Sequence, residues 1–188
     1  RQMCIRDRLK ASWYAGRDLL RPVTSGSSAS DIHIHQQETP VMVPIRSLGP
    51  SYRERITQHL LQLEPADRYL RFGYAANDEQ IRRYAEQLNF ERDEIFGIYN
   101  RRLELIAMAH LAFSENPEHK PCAEFGVSVL KQARGRGFGA RLFERAVMHA
   151  RNEGVNMVFI HALSENTAML KIARNAGATV RRLSLIHI

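Results

Sequence analysis

Gln132-Ala-Arg-Gly-Arg-Gly-Phe-Gly139 is a glycine-rich loop from which the fold of the chain can be predicted. Before it, Ala123 to Leu130 alternate in polarity and are rich in valine, which predicts a strand. After it, one helical face carries the apolar residues Phe138, Leu142, Ala146 and Ala150. Glycines between a strand and a helix N-terminus leave backbone amides free to bind an anion. We therefore predict a diphosphate-binding loop, to which Arg134 and Arg136 add positive charge.

The pattern continues through a second strand and a second helix. Gly154 is a typical helix stop, and the β-branched run Val155 to Ile160 predicts the next strand. The segment from Glu165 to Gly177 then predicts another helix. A strand, helix, strand and helix in succession give the glycine loop its structural context.

At these residues the chain resembles the GCN5-related N-acetyltransferase (GNAT) superfamily. The acyl-CoA motif of that superfamily is Gln/Arg-x-x-Gly-x-Gly/Ala, and Gln132, Gly135 and Gly137 match it. The resemblance covers roughly Val41 to Val180 and is strongest from Ala123 onward. It implies an α/β fold with a mixed sheet, the GNAT acyl-CoA N-acyltransferase fold.

A dinucleotide-binding turn is the main alternative for the glycine loop. Gly135-x-Gly137-x-x-Ala140 also fits the loose Rossmann pattern. That fold normally begins with its glycine turn, whereas here several predicted strands precede it. No acidic residue follows at the offset of about 20 residues that would bind a ribose. The sequence therefore favours acyl-CoA.

The resemblance also implies which residues contact acetyl-CoA. Val127 and Val129 are expected to offer backbone groups to the pantetheine arm, and Asn166 to contact the same arm. The residues expected at the diphosphate are Gln132, Arg134, Gly135, Arg136, Gly137, Phe138, Gly139 and Ala140. Acetyl-CoA would act as co-substrate, and no metal is expected.

Glu124 is the candidate general base. It lies on the strand before the loop, where some protein-lysine acetyltransferases of the superfamily carry a catalytic glutamate. Alternation places it on one face with Gly126 and Ser128, small residues that would leave space beside it. A carboxylate partly desolvated in such a cleft would have a raised pKa, as a base near neutral pH requires.

The last helix departs from the commoner family pattern. Many members carry a tyrosine seven residues after the asparagine, as the acid that protonates the departing thiolate, but this chain has Ala173. Together with Met169, Ala173 resembles bacterial protein-lysine acetyltransferase domains. Three side chains could supply the proton instead: Tyr99, His110 and His161. Cys122 could accept an acyl group but has no recognisable activating partner.

The first half of the chain predicts the remaining elements. A strand is expected at Val41 to Ile45, and a helix that begins with a capping box at Ser51 to Glu54. Asn77 to Gln80 caps a second helix, and two strands joined by a short hairpin follow over 94–113. The resemblance places the acceptor beside the loop expected to connect the two helices, from Pro65 to Gly73. Its candidate contacts are Arg68, Arg71, Phe72 and Tyr74.

Both termini resemble translated transposon-end sequence of the kind used to prepare sequencing libraries. Residues 1–8 and 183–188 are therefore expected to be non-native and to stand outside the fold. Residues 9–40, with a serine-rich run, predict a flexible arm, and residues 41–182 the acetyltransferase domain. The resembled fold ends in two further strands, and 179–182 could only begin one. The domain is therefore expected to lack its last two strands.

Composition narrows the possible partners. The 188 residues carry 27 basic and 20 acidic side chains, an excess that suits a polyanionic co-substrate as well as nucleic acid. Outside the first eight residues Cys122 is the single cysteine, which agrees with a reducing cytoplasm. No apolar run approaches the ~20 residues that span a bilayer. His33 and His35 lack a third ligand, so a metal site is not expected.

These observations predict an acetyl-CoA-dependent N-acetyltransferase that acetylates a primary amine by direct attack. The variant with Met169 and Ala173 favours a protein lysine over a small amine. A non-catalytic acyl-CoA sensor is the chief alternative, because the usual tyrosine is missing. A nucleic-acid-binding domain has only the net charge in its favour, so neither nucleic acid nor membrane is an expected partner.

Overall fold

The computed structural model describes residues 2–6, 43–114 and 122–182. Its strands are β1 (Gln2–Arg6), β2 (Ile45–Ser47), β3 (Glu94–Tyr99), β4 (Leu105–Phe113), β5 (Cys122–Val129), β6 (Met157–Leu163) and β7 (Thr179–Arg182). Its helices are α1 (Arg53–Leu61), α2 (Pro65–Phe72), α3 (Asp78–Glu86), α4 (Phe138–Asn152) and α5 (Thr167–Asn175). The histidines at 33 and 35, the predicted arm and the C-terminal tail lie outside the described residues.

The described strands form one mixed sheet in the order β2-β3-β4-β5-β6-β1-β7. Strands β2 to β5 form an antiparallel meander, and β5 pairs with β6 in parallel. The α/β class with a mixed sheet is therefore confirmed. The antiparallel meander excludes the doubly wound parallel sheet of a dinucleotide-binding domain.

The edge beyond β6 includes residues from the start of the chain. Residues 2–6, which the sequence prediction treats as non-native, form β1, which pairs antiparallel with both β6 and β7. The strand predicted to begin at Thr179 is present as β7.

Helices cover both faces of the sheet and bury two apolar clusters. On one face the buried side of α4 (Phe138, Leu142, Ala146, Ala150) packs with Phe96, Leu111 and Phe125 of the strands. On the other face Ile56 and Leu60 of α1 and Ile81 of α3 pack with Ile95 and Met108. The predicted inward face of α4 is confirmed. Strands β5 and β6, which carry the candidate site, contribute Phe125 and Ile160 to the first of these clusters.

Three local predictions need correction. The segment after Pro65, expected to be a connecting loop, is the helix α2, which ends at Gly73 in the left-handed conformation (φ 80°). Ser51 does not form a capping box, because it lies in a 3-10 turn and no described side chain caps α1. The first described strand of the domain begins at Ile45, after Pro44, because proline cannot donate to a ladder.

The cap predicted at Asn77 to Gln80 is confirmed as a capping box at the start of α3. The Asn77 side chain accepts from the Gln80 amide at 2.9 Å, and the Gln80 side chain accepts from the Asn77 amide at 2.9 Å. No helix in the described part of the chain is long and apolar enough to cross a bilayer.

Candidate functional site

Strands β5 and β6 diverge in the middle of the sheet. Their parallel pairing covers Cys122–Glu124 against Met157–Phe159 and then stops, although β5 continues to Val129 and β6 to Leu163. From Phe125 onward the backbone of β5 therefore lacks a strand partner on its β6 side. Such a bare edge can pair with an extended ligand as it would with another strand.

The glycine loop lies at the end of this divergence. Gly135 and Gly137 adopt left-handed conformations (φ 76° and 73°), which only glycine occupies at little cost, and a Cβ at either would meet no atom within 4 Å. No described side chain caps α4, whose first intrahelical bond runs from the Arg141 amide to the Gly137 carbonyl at 3.1 Å. The amides of Phe138, Gly139 and Ala140 are thus available to an anion at the positive end of the helix dipole.

The charged residues of the loop have mixed surroundings. Gln132 and Arg136 are exposed. Arg134 forms an ion pair with Asp67 of α2 and donates to the Val129 carbonyl at 3.3 Å. A ligand along β5 would therefore compete with Arg134 for that carbonyl. The amides of Ala133 and Arg134 donate to the carbonyls of Leu130 and Lys131. The site still fits a diphosphate, because the amides at the start of α4 precede the first intrahelical bond.

Two further predicted contacts are structural in part. The Asn166 side chain caps α5 by accepting from the Met169 amide at 3.1 Å. Its amide nitrogen can still donate to a ligand. The Phe138 ring is buried in the core, so only its backbone can face a cofactor.

A cavity of about 350 Å³ opens where β5 and β6 separate. Its walls come from β5, β6 and the last turn of α2, with two residues of β4 and one residue each of α3 and α5. The side chains that carry its chemistry are Arg71, Tyr84, His110, Glu124 and His161. The volume falls in the range of small-molecule sites.

Glu124 and His161 face each other across the divergence. His161 Nδ1 lies 3.0 Å from Glu124 Oε1, with the two side chains 40 % and 47 % exposed. The side chain of Glu124 is therefore not desolvated by the protein alone, contrary to the reasoning from its strand position. Its position on the cavity wall, in contact with an imidazole, agrees with a role in proton transfer.

The space beside Glu124 is occupied, which corrects a second part of that reasoning. A Cβ at Gly126 would lie 2.6 Å from three atoms of the Arg71 guanidinium, so this group rests on the bare backbone there. Ser128 bonds to Nε2 of the buried His59 at 2.8 Å, and the other ring nitrogen of His59 donates to the Leu105 carbonyl at 2.8 Å. Burial lowers the pKa of His59 to about 4, so His59 is neutral.

A chain of hydrogen bonds runs from the cavity into the protein. Arg71 donates to the Tyr84 hydroxyl at 2.9 Å, and this hydroxyl lies 2.7 Å from His110 Nδ1. His110 Nε2 lies 3.0 Å from Asp93 Oδ2. Since a carboxylate only accepts, His110 donates from Nε2 and accepts the Tyr84 proton at Nδ1.

The charge states in this chain follow from burial and pairing. Burial lowers the pKa of His110 and raises the pKa of Tyr84, so both are neutral. Burial alone would raise the pKa of Asp93, but hydrogen bonds from Arg92 and His110 outweigh it and hold this pKa below its usual range. These hydrogen-bonded side chains therefore hold Arg71 in place, and its guanidinium puts a positive charge at the cavity.

The remaining candidates divide between the cavity and the scaffold. Phe72 lines the cavity, whereas Tyr74 is exposed and does not. Arg68 bonds to the carbonyls of Leu61, Leu63 and Ala76 and to the Asp78 carboxylate, which makes it a structural residue. Among the proton donors considered, His110 and His161 line the cavity.

Tyr99 and Cys122 are not part of the cavity wall. The Tyr99 ring packs against Tyr52, with their ring centroids 6.3 Å apart. Cys122 is buried and free. The described residues also contain no group of His, Cys, Asp or Glu that could hold a metal ion.

Sequence reasoning missed Tyr84 and Asp93 as site residues. Tyr84 lies on α3, and the hydroxyl of a buried tyrosine usually has a hydrogen-bond partner, but the sequence does not show which one. Asp93 precedes β3 without any local motif. The register of β3 and β4 places His110 opposite Ile95 and so brings His110 close to Asp93.

Comparison with known proteins places this geometry in a family. The model of the acetyltransferase (GNAT) family matches residues 57–178, more than half of the chain. The GNAT domain of PAT from S. lividans is similar, with a TM-score of 0.61, 22% identity and coverage of 73% of this chain and 82% of that chain.

Two further solved structures share the fold. The aminoglycoside N-acetyltransferase AAC(6')-Iy, in complex with CoA, matches with a TM-score of 0.59 and 18% identity over 78% of this chain and 94% of that chain. An acetyltransferase of the GNAT family from Streptococcus pneumoniae matches with a TM-score of 0.57 and 14% identity over 72% and 83%. The family match, the divergent strands and the bare amides of α4 agree, and the chain therefore belongs to the GNAT family of acetyltransferases, as an acetyl-CoA-dependent acyltransferase.

Proposed function

We propose that this protein transfers the acetyl group of acetyl-CoA to a primary amine by direct attack of the amine. The observation that carries the proposal is the position of Glu124. It stands where the pairing of β5 and β6 ends, on the wall of the cavity and in contact with His161. A base at this point is within reach of both a ligand along β5 and a second ligand in the cavity.

The residues proposed to hold acetyl-CoA are those that the structure leaves open. The backbone of Val127 and Val129 would pair with an extended arm, and the amides after Gly137 would bind the diphosphate. The Asn166 amide nitrogen and the side chains of Gln132 and Arg136 would add contacts from the rim. Acetyl-CoA supplies an activated acyl group, a thioester, when it is bound.

The protein's own task is to remove a proton from the amine. An ammonium ion is not a nucleophile, so a base must accept its proton before or during attack. Glu124 accepts this proton in our proposal, and His161 stabilises and orients the carboxylate. The new N–C bond replaces the C–S bond of the thioester, and coenzyme A leaves as a thiolate. In our proposal His161, whose Nδ1 lies 3.0 Å from Glu124 Oε1, passes the proton from Glu124 to this thiolate.

The acceptor is proposed as a protein lysine or a small amine. A small amine is supported by one similar structure, which is named as an aminoglycoside N-acetyltransferase. A cytoplasmic location belongs to the same proposal and is supported by the lack of a second cysteine after residue 8.

The test is release of free thiol from acetyl-CoA in the presence of lysine peptides, amino acids and polyamines. We expect turnover with at least one class, and a loss of about 10²-fold or more in kcat for Glu124→Gln with an unchanged Kd for acetyl-CoA. Glu144→Gln, on the exposed surface of α4, is the matched control and should keep full activity.

Three outcomes are informative. Turnover that depends on Glu124 supports the proposal. Binding of acetyl-CoA without thiol release from any amine would instead support the acyl-CoA sensor. Turnover that Glu124→Gln leaves unchanged would remove Glu124 as the base.

A further inference from the structure

Arg71 places a positive charge on the wall of the cavity. Its guanidinium lines the space between β5 and β6, and the hydrogen bond that it makes among the described residues goes to the neutral Tyr84 hydroxyl at 2.9 Å. It forms no ion pair with a described carboxylate. A half-buried guanidinium is normally paired with an anion, because burying an unpaired charge costs free energy.

The guanidinium is held in one orientation by what surrounds it. Its Cζ and both terminal nitrogens would each lie 2.6 Å from a Cβ on Gly126, so its flat face rests on this glycine. The rings of Phe72 and Tyr84 lie 5.2 Å and 5.6 Å from Cζ. With one face against the strand, its free N–H groups point along the edge of the plane, as in bidentate recognition of a carboxylate.

The support behind Arg71 is itself fixed. The Tyr84 hydroxyl donates a hydrogen bond to His110, so its oxygen is left to accept from Arg71. Asp93 accepts from His110 and so holds His110 in the required tautomer. Asp93 in turn accepts from Arg92 at 2.7 Å and from the Phe113 amide at 3.1 Å. Such preorganisation is typical of a binding group, because it lowers the ordering cost when a ligand arrives.

The distance from Arg71 to the proposed base limits what can bind. Gly126, under the guanidinium, and Glu124 are two residues apart on one face of β5, which corresponds to about 7 Å along a strand. If the amine nitrogen of a ligand lies at Glu124, the group that contacts Arg71 must be one or two bonds from that nitrogen. In an α-amino acid the carboxylate occupies that place.

We propose that the acceptor is a small amine that carries a carboxylate, such as an amino acid, and that Arg71 binds this carboxylate while Glu124 takes the proton from the amine. The inference rests on the proposed function and narrows its acceptor. The Asp93, His110 and Tyr84 side chains act as positioning residues for Arg71.

The experiment compares amino acids with their amides. The twenty L-amino acids and their C-terminal amides are assayed with acetyl-CoA by thiol release, on the wild type and on Arg71→Gln. We expect at least one acid to exceed its amide about tenfold or more in kcat/KM. Arg71→Gln should reduce this ratio to near one by raising KM for the acid, because a charged hydrogen bond is worth about ten- to hundredfold.

Arg83→Gln is the control substitution, since Arg83 lies on the exposed surface of α3 and pairs with Glu79. It should leave the ratio unchanged. Circular dichroism and acetyl-CoA affinity show whether Arg71→Gln is folded. Arg71→Lys, which keeps the charge but loses the bidentate geometry, should restore part of the preference.

Several results would overturn the inference. Equal turnover of acids and amides, or a preference for lysine peptides without a free carboxylate, would exclude a carboxylate partner on the acceptor. A fall in kcat that is equal for acids and amides would show that Arg71 acts on the acyl group. If succinyl-CoA rather than acetyl-CoA became dependent on Arg71, the carboxylate would belong to the acyl donor. Absence of turnover with every amine would instead overturn the proposed function itself.

Discussion

His161 Nδ1 lies 3.0 Å from Glu124 Oε1, and the two residues belong to strands whose backbone pairing ends at Glu124. The contact therefore bridges the two strands on the wall of the cavity. An imidazole at this distance can hold the carboxylate in one rotamer and share its proton. The pair is a unit, and its members should not act independently.

His161→Ala should lower kcat/KM about tenfold, less than Glu124→Gln, because it removes the support of the base and not the base itself. The double variant should be little worse than Glu124→Gln alone. A double-mutant cycle on kcat/KM measures this coupling, with acetyl-CoA affinity as the check on folding. Additive losses would show that the two side chains act separately.

Gly126→Ala should disturb the acceptor and leave the fold intact. The new Cβ would lie 2.6 Å from the Arg71 guanidinium, the end of a flexible side chain, so Arg71 must move while β5 stays. We expect KM for the acceptor to rise several-fold with unchanged thermal stability. Gly49→Ala is the matched control, because a Cβ there meets nothing within 4 Å. Equal kinetics for the two variants would contradict the placement of Arg71.

Gly137→Ala should weaken acetyl-CoA binding. Its left-handed backbone (φ 73°) would cost a residue with a Cβ roughly 1–2 kcal/mol, which would reshape the turn before α4. Gly154→Ala imposes the same strain (φ 71°) at the far end of α4. Both variants should lose similar stability in urea unfolding. Calorimetry should show a higher Kd for acetyl-CoA in Gly137→Ala than in Gly154→Ala. Equal Kd values would show that the turn at Gly137 does not hold the ligand.

His59 should make the fold sensitive to acid. Its pKa falls from 6.5 to about 4 on folding, so between these values the unfolded chain binds a proton that the folded protein does not. The free energy of unfolding should therefore decrease as the pH falls from 6.5 to 4, by up to about 3 kcal/mol. Denaturant unfolding at several pH values measures this slope. His59→Gln, which cannot titrate, should flatten it, and an unchanged slope would assign the effect to other groups.

The sequence was sufficient where a pattern repeats locally. Alternation predicted β5, helical periodicity predicted the buried face of α4, and Asn77 with Gln80 predicted a cap that the structure contains. The glycines at 135 and 137 predicted a bare helix terminus because few other roles require two of them there. Each of these signals lies within one element.

The site residues that were missed depend on contacts between distant elements. The sequence predicts a loop in place of α2, because a helix of eight residues, Pro65–Phe72, leaves little periodicity to detect. The link from Arg71 to Asp93 joins residues 22 positions apart through a tyrosine and a histidine on two other elements. Strand register and helix packing decide such links, and neither is written in a local motif.

The gap between β5 and β6 also has a mechanical consequence. Among the described residues, three backbone pairs join β5 of the meander to β6. All three lie at the start of the two strands, so the two parts of the sheet are joined at one end and separate at the other. A ligand that pairs along the free length of β5 would brace them. A compound that binds only the folded form stabilises it by an amount that grows with the logarithm of its concentration above Kd. The melting temperature of this protein should therefore rise with the concentration of its acyl donor.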